Sequence, residues 1–282
     1  MATSLKERLF AWADRSADED FRRRIAHIST RGNEFGYDAF GFNPEEARIA
    51  LLAVRWIHRH YFRTEVHGVQ NVPDGRVLLI ANHSGQLPFD GVCIGGALFY
   101  DREPPRMVRA MVEKWIPELP FASYLFPRWG QILGDPENCR RVLADGEAIL
   151  VFPEGVKGIS KPFTKRYQLE EFGLGFMRLA LETKTSIVPV AVIGAEEQAP
   201  AFNLKPLAKL LGIPAFPLMP LPPFLPILPL PTKYRIHFGE PLCFTGDADD
   251  DDEVVRKQVR VVQNAVMSLL KIGLKERKHI FW

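Results

Sequence analysis

A histidine with a carboxylate a few residues downstream is a simple proton-handling pair, and Ala81-Asn82-His83-Ser84-Gly85-Gln86-Leu87-Pro88-Phe89-Asp90 supplies one. Neutral imidazole titrates close to physiological pH, so His83 can take a proton from an alcohol. Asp90 can hold one ring nitrogen protonated and stabilise the imidazolium that forms. Taken alone, the pair fits a packed histidine and a helix-capping aspartate at least as well. A second polar cluster lies further along the chain, in Phe152-Pro153-Glu154-Gly155-Val156-Lys157-Gly158.

The elements around these residues can place them together. Val77 to Ala81 is a continuous apolar run that reads as a buried strand delivering His83 to its carboxyl end. Pro88 is a good first residue for a helix over Phe89 to Tyr100, so the pair lies at a strand, loop and helix-start junction, where α/β proteins usually bind ligands. Glu147 to Phe152 reads as another strand, ending on Glu154 and Gly155. Arg106 to Val112, Ser186 to Ile193 and Lys233 to His237 also read as strands. Pro136 to Asp145, Leu169 to Thr183 and the stretch from Asp249 onward read as helices, the last docking Val255, Val259, Val262, Val266 and Leu269. The alternation predicts an α/β fold with a mixed, mostly parallel sheet flanked by helices. Residues 1 to 35 read as amphipathic helical material, whose apolar face either packs on the domain or meets a membrane. Asn43 and Pro44 predict a helix start and a run to Tyr61. The expected organisation is an N-terminal helical segment, 1–62, then an α/β domain, 63–282.

The two polar clusters, with Gly130-Gln131-Ile132-Leu133 between them and Val188-Pro189-Val190 after them, resemble the four ordered motifs of the glycerolipid acyltransferase family, typified by the bacterial 1-acylglycerol-3-phosphate enzymes. The resemblance runs from about Arg63 to Leu242 and includes Asn71-Val72-Pro73 and Gly239-Glu240-Pro241-Leu242. Two departures stand out. Six residues separate His83 from Asp90 where the family usually has four, and Pro88 occupies the usual aspartate position. This variant is similar to a branch related to monoacylglycerol and diacylglycerol acyltransferases. Lys157 stands where the family commonly has arginine, and lysine meets a phosphate as a point charge without the bidentate clamp.

The resemblance implies transfer of a fatty acyl group from acyl-CoA or acyl carrier protein to a hydroxyl of a glycerolipid or lysophospholipid. His83 would be the base and Asp90 its orienting carboxylate. Glu154 and Gly155 would hold acceptor hydroxyls, and Lys157 would attract a phosphate or headgroup. Pro189 is either a strand-edge proline or a residue shaping the acyl pocket. No Gly-x-Ser-x-Gly elbow occurs, so direct transfer without an acyl-enzyme is expected. A lipid hydrolase and a non-catalytic lipid-binding protein are the competing readings.

Composition narrows the field. A net charge of +2 gives no global reason to invoke nucleic acid. Three scattered cysteines, Cys93, Cys139 and Cys243, suggest neither a disulfide framework nor a zinc site. The histidines outside the motif lack ligand spacing, so no metal and no permanently bound cofactor is expected. No signal peptide is read at the amino terminus, which points to the cytoplasmic face of a membrane and a peripheral attachment. The longest apolar tract, ending in an insertion at 211–231, carries eight prolines and cannot form a spanning helix. Either the domain covers it or it meets lipid.

Overall fold

A computed structural model of the protein describes residues 5–28, 32–83, 88–113, 118, 121–155, 158, 161, 163–199, 202–203, 217–218 and 229–282. Lys157, residues 84–87 and most of the proline-rich insertion lie outside the described residues.

The domain is a seven-stranded sheet. Its strands are β1 (Glu65–His67), β2 (Val77–Ala81), β3 (Val108–Val112), β4 (Ile132–Leu133), β5 (Ala148–Val151), β6 (Ser186–Ile193) and β9 (Arg235–Phe238), in the order β1-β9-β6-β2-β5-β3-β4. Only the β6/β9 pairing is antiparallel. Phe202–Asn203 (β7) and Pro217–Leu218 (β8) form a separate antiparallel pair. The central strand β2 is apolar throughout because helices cover both its faces, the usual state of a parallel sheet. Leu79 and Ala81 face helix α4 (Phe89–Tyr100), together with Val188 and Val190 of β6. Leu78 and Ile80 face the opposite side, with Ile187, Ala191 and Ile193. That side is covered by α6 (Pro136–Ala144), α7 (Gly175–Thr183) and α8 (Asp252–Glu276).

The N-terminal segment forms α1 (Leu5–Ser16), α2 (Glu19–His27) and α3 (Pro44–Trp56), the last running on as a π turn to Tyr61. The Asn43 side chain caps α3, accepting from the backbone N–H of Glu45 at 2.9 Å and of Glu46 at 3.2 Å. Ala13, Ala17 and Phe21 are buried against α3 and the end of α4. Arg24 fixes α2 there, donating to the Phe99 carbonyl at 2.9 Å and pairing with Glu103 at 2.6 Å. Leu9 and Trp12 of α1 stay exposed.

Two elements differ from the sequence expectation. The helix expected from Leu169 begins only at Gly175, because tertiary hydrogen bonds draw the preceding backbone toward the site. The Glu170 N–H donates to Glu154 at 2.8 Å and the Gly173 N–H to the Pro153 carbonyl at 3.1 Å. The Gly130 to Leu133 stretch contains a two-residue strand, β4, preceded by α5 (Ala122–Arg128), and neither gives a periodic signal long enough to read.

Candidate active site

The site forms where β2 and β5, adjacent and parallel, end together. Asn82 closes β2: its side chain donates to the Val192 carbonyl at 3.1 Å and accepts from the Val192 N–H at 2.8 Å. The amide continues the β2/β6 ladder by one side-chain rung, and the chain leaves the sheet at His83. Strand alternation then turns His83 to the α4 face.

Asp90, in the first turn of α4 and fully buried, lies 2.7 Å from the imidazole Nδ1 through its Oδ2. The longer spacing between the two residues therefore still closes to hydrogen-bonding distance. With Nδ1–H donating to Asp90, Nε2 is the nitrogen that can accept a proton. Burial pulls the imidazole pKa down, but the Asp90 carboxylate outweighs it through charge and hydrogen bond. Glu154 adds to that effect, and the result is a pKa raised above 6.5. The ring stacks on Phe152 at 4.1 Å between centroids, 21° apart in plane. A Cβ at Gly91 would rest in ordinary van der Waals contact with the same ring, 3.5 Å away.

Glu154 follows β5 and meets His83 from the other side. Its Oε1 accepts the His83 backbone N–H at 3.0 Å. Its Oε2 accepts from Lys161 Nζ at 3.0 Å and from the Glu170 N–H at 2.8 Å. Both carboxylate oxygens are thus spent on the chain, and the side chain has no exposed surface. The geometry makes Glu154 the anchor of the His83 loop, where the sequence reading had it holding an acceptor hydroxyl. Lys161 was not singled out in the sequence. It is buried between Glu154 and Glu196, 3.4 Å from the latter, and also donates to the Gln168 carbonyl at 3.0 Å. Burial pushes the Glu196 carboxyl up to about 7, with Lys161 opposing it.

The glycines explain the tight approach. Gly155 has φ +54° in the turn after β5, and its N–H donates to the Phe152 carbonyl at 3.0 Å. At Gly158 a Cβ would lie 2.9 Å from Glu154 Cβ and 3.2 Å from His83 Cβ, so only glycine lets this backbone close over the pair. That need is invisible in the spacing of the motif.

The structure does not bring Pro189 to this cluster. It pairs with Ile80 and belongs to the opposite face of the sheet, its ring beside Gly239 and Leu269 of α8. Its lost N–H falls where the β6/β9 ladder ends, with its carbonyl accepting the Gly239 N–H at 2.8 Å. β6 lies inside the sheet, between β9 and β2, so Pro189 is on no edge strand. Lys157, assigned to a headgroup, lies outside the described residues.

Cys93, one turn beyond Asp90 on α4, is fully buried, and burial pushes its thiol far up, out of reach of the thiolate form. Among the described residues, His83 is the group placed for proton transfer.

A mixed, mostly parallel sheet thus carries a histidine and an aspartate at a strand's carboxyl end, and comparison with known proteins gives the class. A family model described as Acyltransferase matches residues 63–193. The crystal structure of the 1-acyl-sn-glycerophosphate (LPA) acyltransferase PlsC from Thermotoga maritima shares the fold, with a TM-score of 0.54 at 17% identity. The match covers 96% of this chain and 95% of that chain. The uncharacterized protein Mb0514 of Mycobacterium bovis is 38% identical over 259 residues, 88% of this chain and 72% of its own. The mouse protein named "DGAT1/2-independent enzyme synthesizing storage lipids" is 24% identical over 246 residues, 86% of this chain and 71% of its own. The chain belongs to the glycerolipid acyltransferase family.

Proposed function

We propose that this acyltransferase moves a fatty acyl group from a thioester, acyl-CoA or acyl carrier protein, directly to a hydroxyl of a glycerolipid or lysophospholipid. The observation that carries the reading is the 2.7 Å contact of His83 Nδ1 with buried Asp90, which leaves Nε2 as the base. The acceptor hydroxyl gives its proton to Nε2 as its oxygen attacks the thioester carbonyl. The thiolate leaves with the acyl–sulfur bond, and the imidazolium, held by Asp90, returns the proton to it. The name of the mouse relative supports a neutral acylglycerol acceptor, whereas the bacterial enzyme of similar fold acts on a lysophosphatidate. The proposal covers both classes, and Lys157 is the residue proposed to favour a phosphate.

Peripheral attachment to a membrane belongs to the same proposal. Leu9 and Trp12, exposed on α1, support it, and among the described residues no helix is long and apolar enough to cross a bilayer.

Purified protein incubated with acyl-CoA or acyl carrier protein and a panel of acceptors, with and without phosphate, tests the function. Acylated acceptor is the expected product. Free fatty acid alone would make the protein a hydrolase, and consumption of neither donor nor acceptor would leave a binding protein.

The base assignment has a pH signature. His83 works only when neutral, so activity should fall as pH drops through its folded pKa, and the acid limb of kcat/KM should lie above 6.5. In Asp90→Asn the carboxylate that raises the pKa is gone, so the limb should move to lower pH while the plateau drops by about 10²- to 10⁴-fold. An unmoved limb in a pH–rate profile would remove Asp90 from this role.

A further inference from the structure

His67 and His237, from strands at opposite ends of the α/β domain's sequence, are brought side by side by the parallel register of β1 and β9. Their rings stack at 4.5 Å, 16° apart. Gly68 follows with φ +72°, and a Cβ there would lie 2.2 Å from the Phe238 carbonyl oxygen, so the end of β1 is pressed onto β9. Ile236 and Phe238 point into the α4-side core, which turns His237 the other way, toward the last turns of α8. There Glu276 completes a group of three whose ligand atoms all lie within 4.8 Å of one another.

The observation that points to a ligand is His237 Nε2. The side chain is 7% exposed and this nitrogen is buried without a hydrogen-bond partner. An orphaned polar atom of this kind costs stability unless something satisfies it. Glu276 Oε2 lies 3.8 Å away, too far for a hydrogen bond but close to the separation of two ligands on one ion. Gly273 provides the cradle, since a Cβ at that position would sit 2.8 Å from Nε2. The nearby cations are occupied elsewhere: Arg235 donates to Glu65 at 2.6 Å and reaches Glu276 only at 3.9 Å, and Lys233 also pairs with Glu65.

We infer that His67, His237 and Glu276 form a binding site for a divalent transition-metal ion. Two imidazoles and one carboxylate are a ligand set that suits zinc, with metal–ligand distances of about 2.0–2.2 Å and a fourth position for water. His67 is the exposed imidazole of the group, and its ring can turn to bring a nitrogen onto the ion. The ion ties the β1/β9 edge to the end of α8. It lies two strands from β2 and on the face opposite His83, so it takes no part in proton transfer. Spacing along the chain cannot show it, because only strand register joins the ligands.

Metal-stripped protein titrated with Zn2+, and with Co2+ for its visible ligand-field bands, tests the site. The expected result is one equivalent bound per chain, a raised Tm, and bands of a nitrogen and oxygen ligand set. His67→Ala and Glu276→Gln, both at exposed side chains, should each weaken binding by about tenfold or more while keeping the wild-type circular dichroism and acyltransferase activity. No stoichiometric binding, or equal affinity in wild type and both variants, would overturn the inference.

Discussion

His83→Ala is expected to lower kcat by about 10²- to 10⁴-fold, the usual contribution of a positioned general base, with the fold retained. The imidazole supplies the one nitrogen set for the acceptor's proton, and its ring stacks on Phe152. Removing it takes from the buried Asp90 the ring nitrogen it meets at 2.7 Å, and so changes stability as well as rate. His83→Gln is therefore the informative companion. Its amide can donate toward Asp90 but cannot accept a proton, so its kcat should fall as far as that of the alanine variant, with a smaller change in Tm. Steady-state kinetics beside calorimetry separate the two effects, and full activity in either variant would end the assignment.

The second large effect is expected at Glu154. Its two oxygens hold the His83 N–H on one side and Lys161 with the Glu170 N–H on the other. Glu154→Ala leaves the buried Lys161 side chain to Glu196 at 3.4 Å and the Gln168 carbonyl, and breaking a buried pair costs about 3–5 kcal/mol. The same substitution frees the His83 backbone, and a displacement of about 1 Å at a reacting group can cost about 10²-fold in rate. A positioning role predicts that kcat and Tm fall together while KM for the acceptor hardly moves. A raised acceptor KM with an unchanged Tm would instead return Glu154 to direct contact with the substrate.

The sequence was most legible where one element's own pattern decides its structure. The apolar run Val77–Ala81, the proline opening α4 and the capped start at Asn43 all carry their outcome locally. The His83 and Asp90 pair was visible for the same reason, since a strand end and a helix start bracket it. What stayed hidden depends on contacts between elements. Leu169 to Leu174 has helical spacing, yet Glu154 and Pro153 hold its backbone away from a helix. Lys161 follows the motif without periodicity, and only the fold buries it between two carboxylates. Pro189 sits in a motif that the chain order links to His83, but the pleat assigns it to the other face, and the face follows only from the β2/β6 register. The His67 and His237 pairing likewise exists only through β1/β9 register.

Asp90 and Glu154 hold His83 through the chain's own atoms, so substrate choice is left to residues that do not hold the imidazole. Exchanging acceptor specificity should then be possible without touching His83, Asp90 or Glu154.

Direct transfer is tested most closely by a rapid-quench single turnover with radiolabelled acyl thioester and a saturating hydroxyl acceptor. Acylated acceptor should appear at the rate at which thioester is lost, with no label on the denatured protein and almost no free fatty acid. Label that accumulates on the protein and then passes to the acceptor would contradict it.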